Sequence, residues 1–334
     1  MKAFFLRPTG LISVEGGALG GCLPRSDTLS AALVSVWRHV SPGADIDTIA
    51  ARPPFVVSSA LPWIPLSGTR EILYPVPPGF FDRAADRQPG ERKRLKRAAY
   101  ATAGLFSRIL HEPDLDPTTF ASLDRGALVT HVPGKETPKS YRFAGSRLRV
   151  SVDRLGDGPL EGLLFETSAS ELAPGCGMAV IAKVEPEAEM MFKAALRLLG
   201  LEGVGAERTA GQGGFEVESV EPFAGPGFGS GMRLLLSLYH PTREEVGAGV
   251  LSAGRYALLE RGGWITAPGA GSLRRRPVRM LAEGSVVGEA GGLPMGDVVE
   301  VLEPRREVGL RFPVFRDGRA LWIDFAAEGV GHER

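Results

Sequence analysis

The order of elements around one glycine-rich segment restricts the fold more than any other feature of the chain. Residues 187–200, EAEMMFKAALRLLG, set Ala188, Met191, Phe192, Ala195, Leu198 and Leu199 on one helical stripe, while Glu189, Lys193 and Arg197 share the wet face. GLEGVGAERTAGQGGFEV (200–217) follows, with six glycines, one Arg and one Thr, and FEVESV then reads as a strand. A dinucleotide fingerprint needs strand, loop, helix, because the helix N-terminus receives the pyrophosphate; here the order is reversed. A P-loop needs GxxxxGK[ST], and the segment holds no Lys. Two readings remain open on the residues alone. Backbone N–H groups with Arg208 and Thr209 line a phosphodiester chain, or the glycines only turn a helix into a strand.

The rest of the chain alternates in a similar way. Residues 3–6 read as a strand and LPRSDTLSAALVSVWRHV as a helix. Its stripe is Leu29, Ala32, Leu33, Val36, Trp37 and Val40, and Ser26 or Asp27 is the expected N-cap. Residues 55–60 read as a strand, and the prolines of LPWIPLSGTREILYPVPPGFF argue against regular structure over most of that stretch. Residues 91–110 read as one basic-headed helix. HVPGKETPKSYRFAG is a polar excursion, and RLRVSVDRL alternates with Leu148, Val150 and Val152 on one face. A second unit is expected from Pro174: a strand over 178–184, the helix, the glycine loop, FEVESV and the strand MRLLLSLYH. A Thr242/Glu245 capping box follows, then the strand-rich RYALLE, GWIT, PVRML, DVVEVL, GLRFPVF and ALWIDF. Strand–helix–strand thus occurs twice, which implies an α+β chain of two ferredoxin-like βαββαβ domains, 1–173 and 174–334.

Composition excludes some functions. No apolar run nears the ~18 residues of a membrane helix, and Arg7 and Pro8 interrupt the opening apolar stretch too early for a signal peptide. With only Cys22 and Cys176 there is no disulfide framework or cysteine-rich zinc site, so a reduced, cytoplasmic setting is expected. The 39 basic and 39 acidic residues cancel, which argues against a freely diffusing nucleic-acid binder. Arg outnumbers Lys 32 to 7, either for bidentate phosphate contacts or through codon bias.

Several motifs together resemble one family. Gly203, Gly205, Arg208, Thr209, Gly211 and Gly213 fit the G-x-G-x-x-R-[ST]-x-G-x-G loop of RAMP proteins, the RNA-binding subunits of CRISPR effectors. SDTL (26–29), VDR (152–154) with LLF (163–165), RGGWI (261–265), EGSVV (283–287) and the late VGLRFPV are similar to the fourth subunit of the type III-A (Csm) complex. The resemblance implies two RRM-like RAMP domains and a cap on the guide RNA that grips its 5′ tag. It also implies docking to the large polymerase/nuclease subunit and to an adjacent backbone RAMP subunit, with no cofactor. A β-hairpin finger, inserted within about 80–145, is expected at the tag–guide junction; by position it falls at residues 131–143.

That reading asks for phosphate contacts and stacking on unpaired bases. Six basic residues (Lys135, Lys139, Arg142, Arg147, Arg149 and Arg154) outnumber Glu136 and Asp153, with Tyr141 and Phe143 interleaved. The candidate RNA contacts are Lys135, Lys139, Tyr141, Arg142, Arg147 and Arg154, the loop residues Gly203, Gly205, Arg208, Thr209, Gly211, Gln212 and Gly213, and Arg25 with Ser26 at a helix N-terminus. Lys93, Lys96 and Arg97, and Arg274–Arg276 with Arg279, form further basic clusters that face RNA, a partner or solvent. The histidines 39, 111, 131, 240 and 332 are scattered without metal-ligand spacing, so no catalysis is expected. Metal-independent cleavage of repeat RNA is the alternative, and capture of a small anion a third.

Overall fold

The computed structural model describes residues 1–66, 68–112, 114–130, 138–153, 158–267, 271–289, 295–304 and 309–326. Its first strands are β1 (Lys2–Pro8), β2 (Phe55–Val57), β3 (Leu61–Leu66), β4 (Thr69–Pro75), β5 (Tyr100–Thr102), β6 (Ala121–Leu123) and β7 (Leu128–Thr130). A hairpin of β8 (Arg142–Asp153) and β9 (Gly158–Leu172) follows, then β10 (Gly177–Val184) and β11 (Phe215–Pro222). The longer helices are α1 (Ser26–Val40), α2 (Ala103–His111) and α3 (Glu189–Glu202).

Four successive buried residues, Ala3 to Leu6, make β1 a strand covered on both faces. It sits between β11 and β10 in a sheet ordered β11–β1–β10–β3–β4–β5–β7–β6, with β2 also on β10. Neighbours are antiparallel except β5 and β7. The boundary expected at 173/174 therefore falls inside one sheet. Strands from both sides of it are hydrogen bonded, because β1 has no covering partner until β10 and β11 arrive. The chain between β3 and β10 adds β4–β7 to this sheet and carries the β8–β9 hairpin.

The helical stripes read from sequence point inward. Leu29, Leu33, Val36 and Trp37 of α1, and Phe192, Ala195 and Leu199 of α3, are buried. An aromatic chain ties the helices to the sheet: Trp37 stacks on Phe55 at 5.5 Å, Phe55 meets Phe192 at 5.3 Å, and Phe192 meets Phe4 at 5.3 Å. On the other face Phe5 packs on Trp63, with the Arg70 guanidinium 4.7 Å above the Phe5 ring.

Two local expectations change. The proline-rich stretch does form strands: β10 pairs residues 61–63 of β3, whereas β4 pairs 63–66. Pro62 and Pro65 thus each face one neighbour, and a missing N–H on the open side costs no ladder bond. The helix expected over 91–110 is broken into Arg92–Leu95 and α2, because Tyr100–Thr102 is drawn into the sheet as buried β5. Lys93 on the short first piece, and Lys96 and Arg97 in the turn after it, are exposed.

The remaining chain carries β12 (Gly231–Leu235), α4 (Arg243–Gly247), β13 (Leu258–Arg261), β14 (Trp264–Ala267), β15 (Gly271–Arg274) and β16 (Val278–Leu281). Then come β17 (Val286–Val287), β18 (Val298–Leu302), β19 (Val314–Asp317) and β20 (Trp322–Ala326). These make a three-stranded sheet, β17–β12–β20, and the pairs β13–β16, β14–β15 and β18–β19. The expected capping box opens α4: Thr242 Oγ1 accepts the Glu245 N–H at 3.2 Å, and the Glu245 carboxylate accepts the Thr242 N–H at 2.6 Å. The whole is a mixed α and β fold. From β12 on, the later part of the second βαββαβ unit expected over 174–334, α4 is the single helix among the described residues, and α3, the unit's other expected helix, packs with the first sheet. Phe228 and Phe325 of the C-terminal region pack on Phe80 and Phe106 of the earlier chain, with Phe106 stacked on Phe228 at 4.8 Å.

Candidate nucleic-acid interface and domain seam

The glycine loop has a neck and a tip. Gly203 ends α3 at φ 80°, and its N–H reaches Leu199 O at 2.8 Å. Val204 N–H donates to Gly213 O (2.9 Å), Gly213 N–H to Leu11 O (2.8 Å) and Ala206 N–H to Ser13 O (2.7 Å). The neck is thereby stitched to residues 11–13, which leaves no room for side chains. A Cβ on Gly213 would lie 2.1 Å from Val204 O, and one on Gly205 2.3 Å from Ser13 O. Gly203, Gly205 and Gly213, expected as RNA contacts, build the turn, and the amides of Gly203 and Gly213 are hydrogen bonded within the protein. Gln212 is buried, with neither side-chain amide atom hydrogen bonded among the described residues.

The tip is different. Glu207 adopts a left-handed conformation (φ 59°), and Arg208–Ala210 make one 3₁₀ turn. Arg208, Thr209 and Gly211 are exposed, and a Cβ at Gly211 would meet nothing within 4 Å. Such a strained non-glycine residue persists only where neighbours hold it. The neighbour is Arg149 of β8, which is ion-paired with Glu207.

This contact brings the β8–β9 hairpin to the loop. Arg142 pairs with Leu172 and Arg149 with Phe165, so Phe143, Arg147, Arg149 and Phe165 share one face. Phe143 is 54 % exposed and Phe165 45 %, and Arg147 is exposed without an ion pair among the described residues. Lys139 is exposed beside the hairpin's base. The hairpin begins where the finger was expected to end; of that finger, residues 131–137, including Lys135, lie outside the described residues, as does Arg154. Phe165 was missed because its pairing with Arg149 is set by a non-local register.

Tyr141 is not a stacking platform. It is fully buried, its hydroxyl donates to Gly177 O at 2.8 Å, and burial raises its pKa far above the ordinary phenol value. Arg142 is turned inward, packed over Gly20 with its guanidinium donating to Ser170 Oγ at 3.0 Å. Cys22 and Cys176 are buried thiols whose pKa is pushed up to about 12 by burial.

Arg25 and Ser26 belong to a seam between the two parts of the chain. The N-cap of α1 is Arg25 without a side-chain cap, rather than Ser26 or Asp27. Ser26 Oγ accepts the Leu238 N–H at 2.9 Å, while Arg25 and Ser59 both bond the Glu283 carboxylate. Asp27, whose side chain is wholly buried, accepts two bonds from Arg261 (2.9 and 3.0 Å) and is ion-paired with Arg316. Burial acts to raise the Asp27 carboxyl, but the Arg261 hydrogen bonds and the charges of Arg261 and Arg316 outweigh it and hold the pKa below the usual carboxylate value. Asp27 of SDTL, Arg261 of RGGWI and Glu283 of EGSVV therefore lie in one seam and hold the chain together there.

His240 Nδ1 lies 2.7 Å from Asp297, but among the described residues no three His, Cys, Asp or Glu side chains gather as a metal site. No helix among them is long and apolar enough to cross a membrane.

With this geometry in place, the chain can be compared with known proteins. Residues 229–325 match the family described as the CRISPR Csm4 C-terminal domain. No curated protein matches the sequence. The fold is similar to a chain of a crystallised Csm3–Csm4 subcomplex of the type III-A CRISPR-Cas interference complex. That match has a TM-score of 0.65 and 17% identity, and covers 98% of this chain and 100% of the other. It is also similar to a chain of the Csm1–Csm4 cassette crystallised with cA4 (TM-score 0.55, 17% identity, 98% of both chains). The same cassette with pppApA gives 0.53 and 18% identity over 97% of both chains.

Proposed function

The chain is Csm4-like, by family in its C-terminal region and by fold along its length, and from that premise we propose a role. It is a non-catalytic RNA-binding subunit of a type III-A CRISPR interference complex in the cytoplasm, holding the 5′ tag of the guide RNA. The carrying observation is the meeting of the exposed loop tip with the aromatic and basic face of the β8–β9 hairpin through Arg149 and Glu207. Arg208 and Thr209 then hold phosphates, with Arg147 on the strand and Lys139 before it, and Phe143 and Phe165 offer ring faces to unpaired bases. The order β11–β1–β10–β2/β3 with α1 and α3 supports a ferredoxin-like first domain built from residues 1–66 and 177–222, with the hairpin inserted in it. Residues 229–325 form the second domain in this reading.

The partners are part of the proposal. Similar chains come from assemblies with Csm1 and with Csm3, and we assign this chain a large polymerase/nuclease subunit on one side and a backbone subunit on the other.

Anisotropy titration of labelled tag-bearing RNA, with the chain alone and with its large subunit, tests the reading. Arg208→Ala and Arg147→Ala should each weaken binding by about 1–2 kcal/mol, the scale of a charge-assisted contact. Each should also lower the salt slope by roughly 0.7. Unchanged affinity in both variants refutes the site, and specific RNA cleavage in EDTA refutes the non-catalytic role.

A further inference from the structure

The C-terminal region carries an aromatic and basic surface that the loop and hairpin do not use. In β14–β15, Trp264 pairs with Arg274 and Ile265 with Leu273. Ile265 and Leu273 pack on the Leu302, Leu310 and Val314 cluster, so the alternating residues Trp264 and Arg274 face outward. Trp264 is 62 % exposed, whereas Trp37 and Trp63 are buried. Arg274 and Ser272 beside it are exposed and polar.

Some exposed arginines find carboxylates, such as Arg7 with Glu218, Arg87 with Asp114 and Arg108 with Glu112, while others, Arg147 among them, have none among the described residues. Among the described residues Arg274, Arg276 and Arg279 have no such partner, although all three are exposed. Arg276 instead donates to the Glu300 backbone carbonyl at 2.7 Å, which fixes the arginine run against β18. Between them lies an open cleft of about 670 Å³, walled by Arg274–Arg276 on one side and by residues 300–303 on the other. Arg275 lies over Gly263, where a Cβ would sit 3.1 Å from its guanidinium. It is held next to Trp264, and its Nε is buried without a partner among the described residues.

We infer that Trp264 and the Arg274–Arg276 wall form a second binding site for single-stranded polynucleotide, separate from the loop and hairpin. A base stacks on the Trp264 indole, and the flanking phosphates lie along the arginines, away from the Glu300 and Glu303 carboxylates. Stacking and phosphate contact ask for no particular sequence, so the site takes a strand of any sequence. This inference goes beyond the tag reading and stands without it.

The test uses the full chain, a 12-nucleotide oligouridylate and an oligothymidylate of equal length, with intrinsic tryptophan fluorescence and anisotropy. Because Trp264 is the strongly exposed indole, either polymer should quench emission, and Trp264→Ala should abolish the quenching and weaken binding roughly tenfold. Trp264→Phe should restore most of the affinity, and Arg274→Ala should lower it and flatten the salt slope. Arg208→Ala should leave the quenching unchanged, which separates this site from the loop. Quenching by both polymers assigns the site to stacking and phosphate alone, and stronger quenching by RNA adds a 2′-hydroxyl contact. Emission unmoved by both polymers overturns the inference. So does a Trp264→Ala variant that binds them normally yet no longer co-purifies with its large subunit, which gives the face to a protein.

Discussion

Replacing Asp27 with Asn keeps the shape of the side chain and removes the one charge that Arg261 and Arg316 share. Asp27 is wholly buried in the seam, and its partners are nearly so, at 12 % and 5 % side-chain exposure. Water cannot take over from the lost carboxylate, and two guanidinium charges remain side by side. Breaking a buried pair from one end costs about 3–5 kcal/mol. With two cations on one anion the effect belongs in the upper half of that range. At about 2.1 cal/mol/K per residue over 334 residues, a loss of ~4 kcal/mol lowers Tm by about 6 °C. Scanning calorimetry at pH 7 on the wild type and the variant measures it. The pH dependence has a definite sign. The folded carboxyl titrates below its unfolded value, so its contribution is whole above about pH 4 and disappears as pH falls through the folded pKa. The Tm gap between wild type and variant should therefore be constant from pH 5 to 8 and shrink below pH 4. A gap under ~1 kcal/mol at pH 7, or one that grows in acid, refutes the view that this ion cluster fastens the seam.

Three other substitutions separate framework from surface. Gly213→Ala should destabilise the chain by more than ~2 kcal/mol, since a positive φ and a clash with Val204 O act together, whereas Gly211→Ala meets open space and should cost about 1–2 kcal/mol; urea unfolding distinguishes them. Tyr141→Phe should lower stability by about 1 kcal/mol through the unsatisfied Gly177 carbonyl, with RNA affinity unchanged in the anisotropy assay. Phe165→Ala should weaken RNA binding by roughly 1–3 kcal/mol and leave Tm nearly unaltered, because the ring is already largely in water.

Elements whose side chains repeat at a fixed period were legible. The stripes of α1 and α3 and most C-terminal strands follow from residue spacing alone, because burial of one face decides them. What failed was whatever depends on a distant partner. Nothing local to residues 177–222 says that β10 and β11 flank β1, and a boundary at 173/174 is a natural reading of a chain whose first strand is paired by strands far along the sequence. Tyr100–Thr102 has helical neighbours, yet a vacant place between β4 and β7 took it. Tyr141 and Phe143 look equivalent in sequence, two residues apart on the same stretch. Only packing shows that one hydroxyl is fixed to Gly177 and the other ring lies in water.

The same distinction explains why the motifs that carry the family resemblance say little about a ligand. SDTL, RGGWI and EGSVV are far apart in sequence, and each offers one charged residue, Asp27, Arg261 or Glu283, whose partner no local pattern names. In the fold, Asp27, Arg261 and Glu283 satisfy one another and Arg25 and Arg316 across the seam. A buried ion cluster tolerates little change, since each missing partner strands another charge. An exposed phosphate contact, by contrast, is satisfied by any nearby arginine with reach. Residues such as Arg147, Arg208 and Arg274 can thus move along the surface without disturbing the fold, while the seam has to keep its identities. The family-like motifs thus sit in the part that holds the two regions in register, whereas the proposed RNA contacts lie among exposed arginines, of which Arg147 and Arg274 have no carboxylate partner among the described residues and Arg208 has Glu202 at 3.8 Å.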